Sequence, residues 1–219
     1  MKKQQKIKLF TSIAFLAAFV LWTVLVRLVD RKGIGPYGSV VGFAGLNGWF
    51  HSLTGANYFL YDLTDLLSII PLGLILAFAV WGMAQWFRRK SLWKVDWDIL
   101  VLGGFYVAVM VAFLLFEVVE INYRPVLIKG VLETSYPSST TMLAICVMLT
   151  AVSILGKRIA NKKHNTIMRV AILAFTAFMV IGRAISGVHW ITDIIGGALL
   201  SAGLVLLFDF FCGLKKNEI

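Results

Sequence analysis

Six runs of about 20 apolar residues, each long enough for a helix to cross the hydrocarbon core of a bilayer, constrain this chain more than any other feature. They lie at about 9–29, 62–87, 97–118, 138–156, 167–185 and 190–212. Charged residues are only 15% of the chain, against about 25% in a soluble domain, and mean hydropathy is +0.85. The predicted fold is all-α: one domain over residues 1–219, a polytopic membrane protein of six transmembrane helices. No internal repeat, low-complexity tract or second domain interrupts it.

Lys and Arg set the orientation, because short cytoplasmic loops carry the excess of positive charge. Four lie in the N-terminal tail (Lys2, Lys3, Lys6, Lys8) and four follow span 2 (Arg88, Arg89, Lys90, Lys94). Five follow span 4 (Lys157, Arg158, Lys162, Lys163, Arg169) and two close the chain (Lys215, Lys216). Fifteen of the 21 basic residues thus fall on one side, so both termini are expected to be cytoplasmic. The same distribution accounts for the net charge of +10 without a nucleic-acid partner.

The run from Leu9 to Val29 is long for a signal-peptide core and lacks a clean small-x-small cleavage site, so it reads as a retained signal-anchor helix. Cys146 and Cys212 fall at different depths, which argues against a disulfide. The longest loop, about 30–61, is glycine-rich and carries Trp49, Phe50, Tyr58 and Tyr61, aromatics suited to the membrane interface. A short amphipathic helix lying on the outer surface is expected there, as an anchor or part of a lipid entrance. Asp62 and Asp65 begin span 2 and are read as complements to its helix N-terminus. Asp209 lies within reach of Lys215 or Lys216. His51 and His164 sit in opposite loops.

Ionisable residues at membrane depth are costly and usually functional. Here they cluster at one face. His189 and Asp193, four apart at the start of span 6, share a helix face, where the carboxylate could hold one ring nitrogen and leave the other free to attack. Arg183 precedes them across a turn of small residues, and its planar fork suits phosphate oxygens. Ser138 and Ser139 follow Pro137 at the start of span 4, where unpaired N–H groups and hydroxyls can bind an anion or simply cap the helix. Arg124-Pro125 lies in the loop before them. Three distant segments therefore bring phosphate-binding chemistry to one membrane face.

These motifs resemble those of the type-2 phosphatidic acid phosphatase family of membrane lipid phosphatases, related to vanadium haloperoxidases. The family's motifs are Lys-x6-Arg-Pro, Pro-Ser-Gly-His and Ser-Arg-x5-His-x3-Asp. Arg124-Pro125 carries the end of the first, Pro137-Ser138 the start of the second, with Ser139 in place of glycine, and Arg183, His189 and Asp193 the third. The resemblance spans about 117–197 and implies a mechanism. His189 would form a phosphohistidine with Asp193 orienting it. Arg124, Arg183, Ser138 and Ser139 would hold the phosphate. No metal or other cofactor is implied.

Three positions depart from the family pattern. Glu117 stands where the first-motif lysine belongs, Gly182 replaces the serine before Arg183, and Thr140 replaces the general-acid histidine. A threonine hydroxyl is a poor proton donor at neutral pH, and losing acid–base help typically slows a reaction by about 10² to 10⁴. The expected substrates are phosphatidate, phosphatidylglycerophosphate or undecaprenyl diphosphate, with membrane lipids as surroundings. The alternative is a lipid-phosphate-binding membrane protein without turnover. A transporter would place polar residues through the midplane, which these spans do not.

The expected topology is checked with single cysteines introduced after replacing Cys146 and Cys212 by alanine. A membrane-impermeant maleimide should label Tyr37→Cys in intact cells and Asn161→Cys only after permeabilisation; the reverse pattern would invert the orientation.

Overall fold

The apolar runs resolve into eight helices: α1 (Lys3–Leu28), α2 (Ala44–Thr54), α3 (Tyr58–Leu67), α4 (Ile69–Arg89), α5 (Trp97–Val118), α6 (Ser139–Leu155), α7 (Lys162–Ile185) and α8 (Ile191–Leu214). The computed structural model describes residues 3–215, so Lys2 and Lys216 of the charge pattern lie outside the described residues. Among the described residues the only β-type pairings are isolated bridges, at Lys32–Val41, Tyr123–Thr134 and Ile128–Val131.

Five segments are long and apolar enough to cross a membrane: α1, α3 with α4, α5, α7 and α8. α6 has 17 residues, which at 1.5 Å per residue is about 25 Å. It is the most enclosed helix, lying against both α7 and α8. Span 2 is broken at Ser68 into α3 and α4. Pro71 explains the break, since it has no N–H to offer the Leu67 carbonyl four residues back. The Ser68 hydroxyl instead donates to the Thr64 carbonyl at 3.0 Å.

α1 lies along α8, and small residues permit the close approach. The Ser12 hydroxyl donates to the Gly203 carbonyl at 2.8 Å. A Cβ on Gly203 would come within 2.7 Å of Leu16 Cδ2. At the end of the bundle holding the start of α1, Arg158 forks onto Asp98 at 2.8 and 2.9 Å and stacks 4.7 Å from the Trp81 ring. Asp209 pairs there with Lys8 at 3.8 Å and accepts from the Ser153 hydroxyl at 3.0 Å, not from Lys215. Lys215 lies over the Trp97 ring instead, because α8 continues to Leu214 and carries it past Asp209.

Asp62 and Asp65 are not at a helix start. Asn57 caps α3, accepting from the Leu60 N–H at 2.9 Å, and both carboxylates lie within the helix that follows.

Gly203→Val should overpack the α1–α8 seam. Overpacking of this kind typically costs about 1–3 kcal/mol, readable as a lower thermal unfolding midpoint in detergent. An unchanged midpoint would show that the seam is loose.

Candidate active site

Polar chemistry gathers around the first turn of α8. Asp193, fully buried, accepts from the Trp190 backbone N–H at 3.0 Å and from the Asn122 amide at 3.3 Å. The first of these reaches back from the third residue of α8 to the backbone N–H of its cap, so the carboxylate serves the helix start. Thr192 beside it bonds Asn47 of α2, its hydroxyl accepting at 3.0 Å and its N–H donating at 3.3 Å. The short helix expected in the long loop is therefore docked on the site through a buried asparagine. At the turn before α8, Gly187 has φ +66, and a Cβ there would fall 1.6 Å from the Gly55 carbonyl oxygen. Only glycine fits both the left-handed backbone and that contact.

This turn presents His189. Its Nδ1 lies 3.1 Å from the Ser135 carbonyl and its Nε2 lies 3.0 Å from Arg124 Nη1. A guanidinium only donates, so Nε2 is the acceptor and the ring's proton sits on Nδ1, donating to Ser135. The tautomer follows from the partners. Asp193 Oδ2 is 3.6 Å from Nδ1, close enough to act by charge but not as a hydrogen bond. The expectation that Asp193 grips the ring nitrogen is thus corrected: a backbone carbonyl takes that place, because the carboxylate is occupied by Trp190 and Asn122.

The segment 119–138 supplies both groups that touch the ring. It folds back on itself through the Tyr123–Thr134 bridge. The Arg124 N–H donates to the Glu133 carbonyl at 3.0 Å, and Arg124 Nε donates to the Glu133 carboxylate at 3.0 Å. The Ser135 N–H donates to the Asn122 carbonyl at 2.9 Å. Two bonded pairs thus hold Arg124 and Ser135 over opposite nitrogens of one imidazole.

Arg183 ends α7 with its side chain 2% exposed. Its Nη1 donates to the Tyr61 carbonyl at 3.4 Å and the Thr64 hydroxyl at 3.3 Å, and Nη2 is 3.8 Å from Asp65. Its Nε is buried without a hydrogen-bond partner among the described residues. The Tyr61 ring joins the two arginines, with Arg183 4.4 Å and Arg124 5.9 Å from its centroid. The departure at Gly182 has a packing cause. A Cβ there would meet Thr64 Cγ2 at 3.0 Å, so the bare position lets α3 come close to α7 and reach Arg183.

The two serines separate. Ser138 is fully buried and caps α6, accepting from the Thr141 N–H at 3.4 Å. Ser139 lines a cleft shared with His189, Arg124 and Glu117. Thr140 faces elsewhere, into a cavity of about 270 Å³ between α4, α5 and α6. That cavity is apolar along Leu72, Ile75, Val109 and Met110, and Asp65, Ser68, Ser139 and Thr140 give it a polar end. Phe113, Ser139 and Met142 border both spaces, so cleft and cavity adjoin.

Asn47, Tyr61, Thr64, Asn122, Glu133 and Ser135 were not singled out as site residues from sequence. In the sequence Asp65 and Tyr61 read only as a helix-end charge and an interfacial aromatic. None stands in a spacing motif with His189. Among the described residues, no three His, Cys, Asp or Glu side chains cluster as a metal-ligand group.

Burial, reinforced by the charges of Arg124 and Arg183, holds the His189 pKa well below its usual 6.5. In the unfolded chain the ring would bind a proton as pH falls through about 6.5, while in the fold it stays neutral. Stability from this residue is therefore complete above that pH and is lost as pH falls from there towards the depressed folded value. The His189 Cε1–Hε1 NMR signal should keep its neutral shift as pH drops through 6.5. A midpoint at or above 6.5 would contradict the buried, arginine-flanked ring.

Residues 118–211 match the family model of the PAP2 superfamily. The fold is similar to the crystal structure of a transmembrane PAP2-type phosphatidylglycerolphosphate phosphatase from Bacillus subtilis. The TM-score is 0.61 at 19% sequence identity, over 95% of this chain and 97% of that one. No curated protein matches the chain. The motif residues Arg124, Arg183, His189 and Asp193, gathered at one end of the bundle, all lie within the segment that matches the PAP2 superfamily model, and the fold they sit in is similar to that of a transmembrane PAP2-type phosphatase.

Proposed function

We propose that this chain is a membrane lipid-phosphate phosphatase that works through a phosphohistidine on His189, with the whole chain acting as one domain. The observation that carries the reading is the state of the His189 ring: Nδ1–H held by the Ser135 carbonyl and a basic Nε2 directed at Arg124. For attack on phosphorus, Arg124 turns its donors from Nε2 to the phosphoryl oxygens, exposing the lone pair. As Nε2 bonds to phosphorus, positive charge develops on the ring, and the Asp193 carboxylate at 3.6 Å stabilises it without taking the proton. Arg183, with its unpartnered Nε, and Ser139 add donors for the equatorial oxygens. The adjoining apolar cavity suits the lipid chain, with the headgroup at its polar end.

Both termini are placed in the cytoplasm and the site on the extracytoplasmic face, on the strength of the Lys and Arg distribution. Phosphatidate, phosphatidylglycerophosphate and undecaprenyl diphosphate remain the substrates in view, and Thr140 favours the diphosphate. A diphosphate lipid departs as a phosphate monoester, with second pKa about 6, and needs no proton, whereas phosphatidate must expel an alkoxide. The same threonine supports a second reading, a lipid-phosphate binder without turnover.

Phosphate release in detergent from undecaprenyl diphosphate and phosphatidate separates these. The chain should act faster on the diphosphate, His189→Ala should abolish release, and Thr140→His should raise phosphatidate hydrolysis more than diphosphate hydrolysis. Equal gains would remove the diphosphate preference. Binding without release in every variant would establish the second reading.

A further inference from the structure

Glu117 is exposed, and among the described residues no hydrogen bond or ion pair within the protein holds it in place. It lies in the last turn of α5, where the helix dipole disfavours a carboxylate. Among the described residues its carboxylate has no ion pair or hydrogen bond, for Arg124 is engaged by Glu133, and Arg27 donates to the Glu120 carbonyl. It lines the cleft of His189, Arg124 and Ser139, where an anionic substrate must come. A negative charge there opposes its own helix and the incoming phosphate alike.

The phosphatase reading divides the chemistry into two halves with different needs. In the first, His189 Nε2 bonds to the terminal phosphorus, the bridging P–O bond breaks, and its electron pair leaves with the lipid monophosphate. No proton is required there, since that leaving group is stable as an anion. In the second, water must attack the phosphohistidine, and water holds its proton tightly. A base is required. Thr140 cannot serve, and its side chain faces the other cavity.

We propose that Glu117 is the general base of this second half-reaction, a role that rests on the phosphohistidine reading above. Its carboxylate takes one proton from the water as the water oxygen bonds to phosphorus. The N–P bond breaks, its electron pair returns to Nε2, and the ring is again neutral with its proton on Nδ1. Inorganic phosphate leaves, and the Glu117 carboxyl returns its proton to solvent. A carboxylate can do this, and the lysine of the family motif could not. The exchange of lysine for glutamate and of histidine for threonine then form one change: the acid is dispensed with, and a base is supplied at Glu117 within the His189 cleft. Asp65 is the rival carboxylate, but it lines the cavity with Thr140 and lies 3.8 Å from Arg183, not in the His189 cleft.

The test is rapid-quench kinetics on the full chain in detergent micelles with terminally radiolabelled farnesyl diphosphate. Glu117→Gln should keep the first burst of farnesyl phosphate, about one per enzyme, while steady-state turnover falls by about 10² to 10⁴. Acid-labile, base-stable phosphate should accumulate on the protein, Glu117→Lys should show the same block, and Glu117→Asp should recover part of the rate. Turnover equal to or above the unmodified chain in Glu117→Gln or Glu117→Lys would overturn the proposal, leaving the carboxylate as a mere repellent. So would a burst that falls in step with turnover, or the trapped intermediate appearing in Asp65→Asn instead. Turnover surviving in His189→Ala, or absent from the unmodified chain, would overturn the phosphohistidine reading itself and this role with it.

Discussion

The first turn of α8 must satisfy several buried polar groups at once, and the segments around the site are arranged to do so. Thr192 is answered by Asn47 from α2, and its carbonyl accepts from the Trp22 indole of α1 at 3.1 Å. Asp193 is answered by Asn122, and its own carbonyl accepts from the Ser138 N–H at 3.1 Å. The partners come from α1, α2 and the two ends of the segment 119–138. A buried polar group left without its partner costs about 1–3 kcal/mol, so each bond recruits its segment to the site. The loops at this end of the bundle are therefore parts of one network around a helix start.

That arrangement separates anchoring from chemistry. Asp193 anchors: it closes the cap of α8 and holds Asn122, and it reaches His189 only through its charge. Ser135, tied to Asn122, then sets the tautomer by accepting from Nδ1. Arg124, tied to Glu133, meets the opposite nitrogen. The imidazole is thus oriented by the segment 119–138, and Asp193 orients that segment in turn.

The departures from the family motifs have different characters. Gly182 is a packing choice that admits Thr64 against α7. Thr140 and Glu117 bear instead on the proton chemistry of the proposed function, and they line two adjoining spaces. The break at Ser68 contributes here as well. It leaves α3 free to follow its own path onto α7, where Tyr61 and Asp65 meet Arg183.

Much of the architecture was legible in the chain. Apolar runs of membrane length have few folded forms open to them, because backbone groups in hydrocarbon must bond within their own helix. Hence α5 and α6 coincide with the expected spans to within a residue, and the others differ mainly by extra turns in polar flanks. His189, Asp193 and Arg183 stand out in the chain too, since ionisable residues are rare against such a background. What the chain alone left open was who touches whom. Ser138 and Ser139 are neighbours with the same side chain, yet one caps a helix and the other lines the cleft. Asp65 reads as a helix-end charge until a proline-broken helix brings it to Arg183, and Ser135 acts through a carbonyl that every residue possesses. The apolar pattern determined which segments span the membrane, because that depends on local composition. The contacts of single polar atoms were decided only by tertiary structure, because they depend on which distant segment fills each unpaired bond.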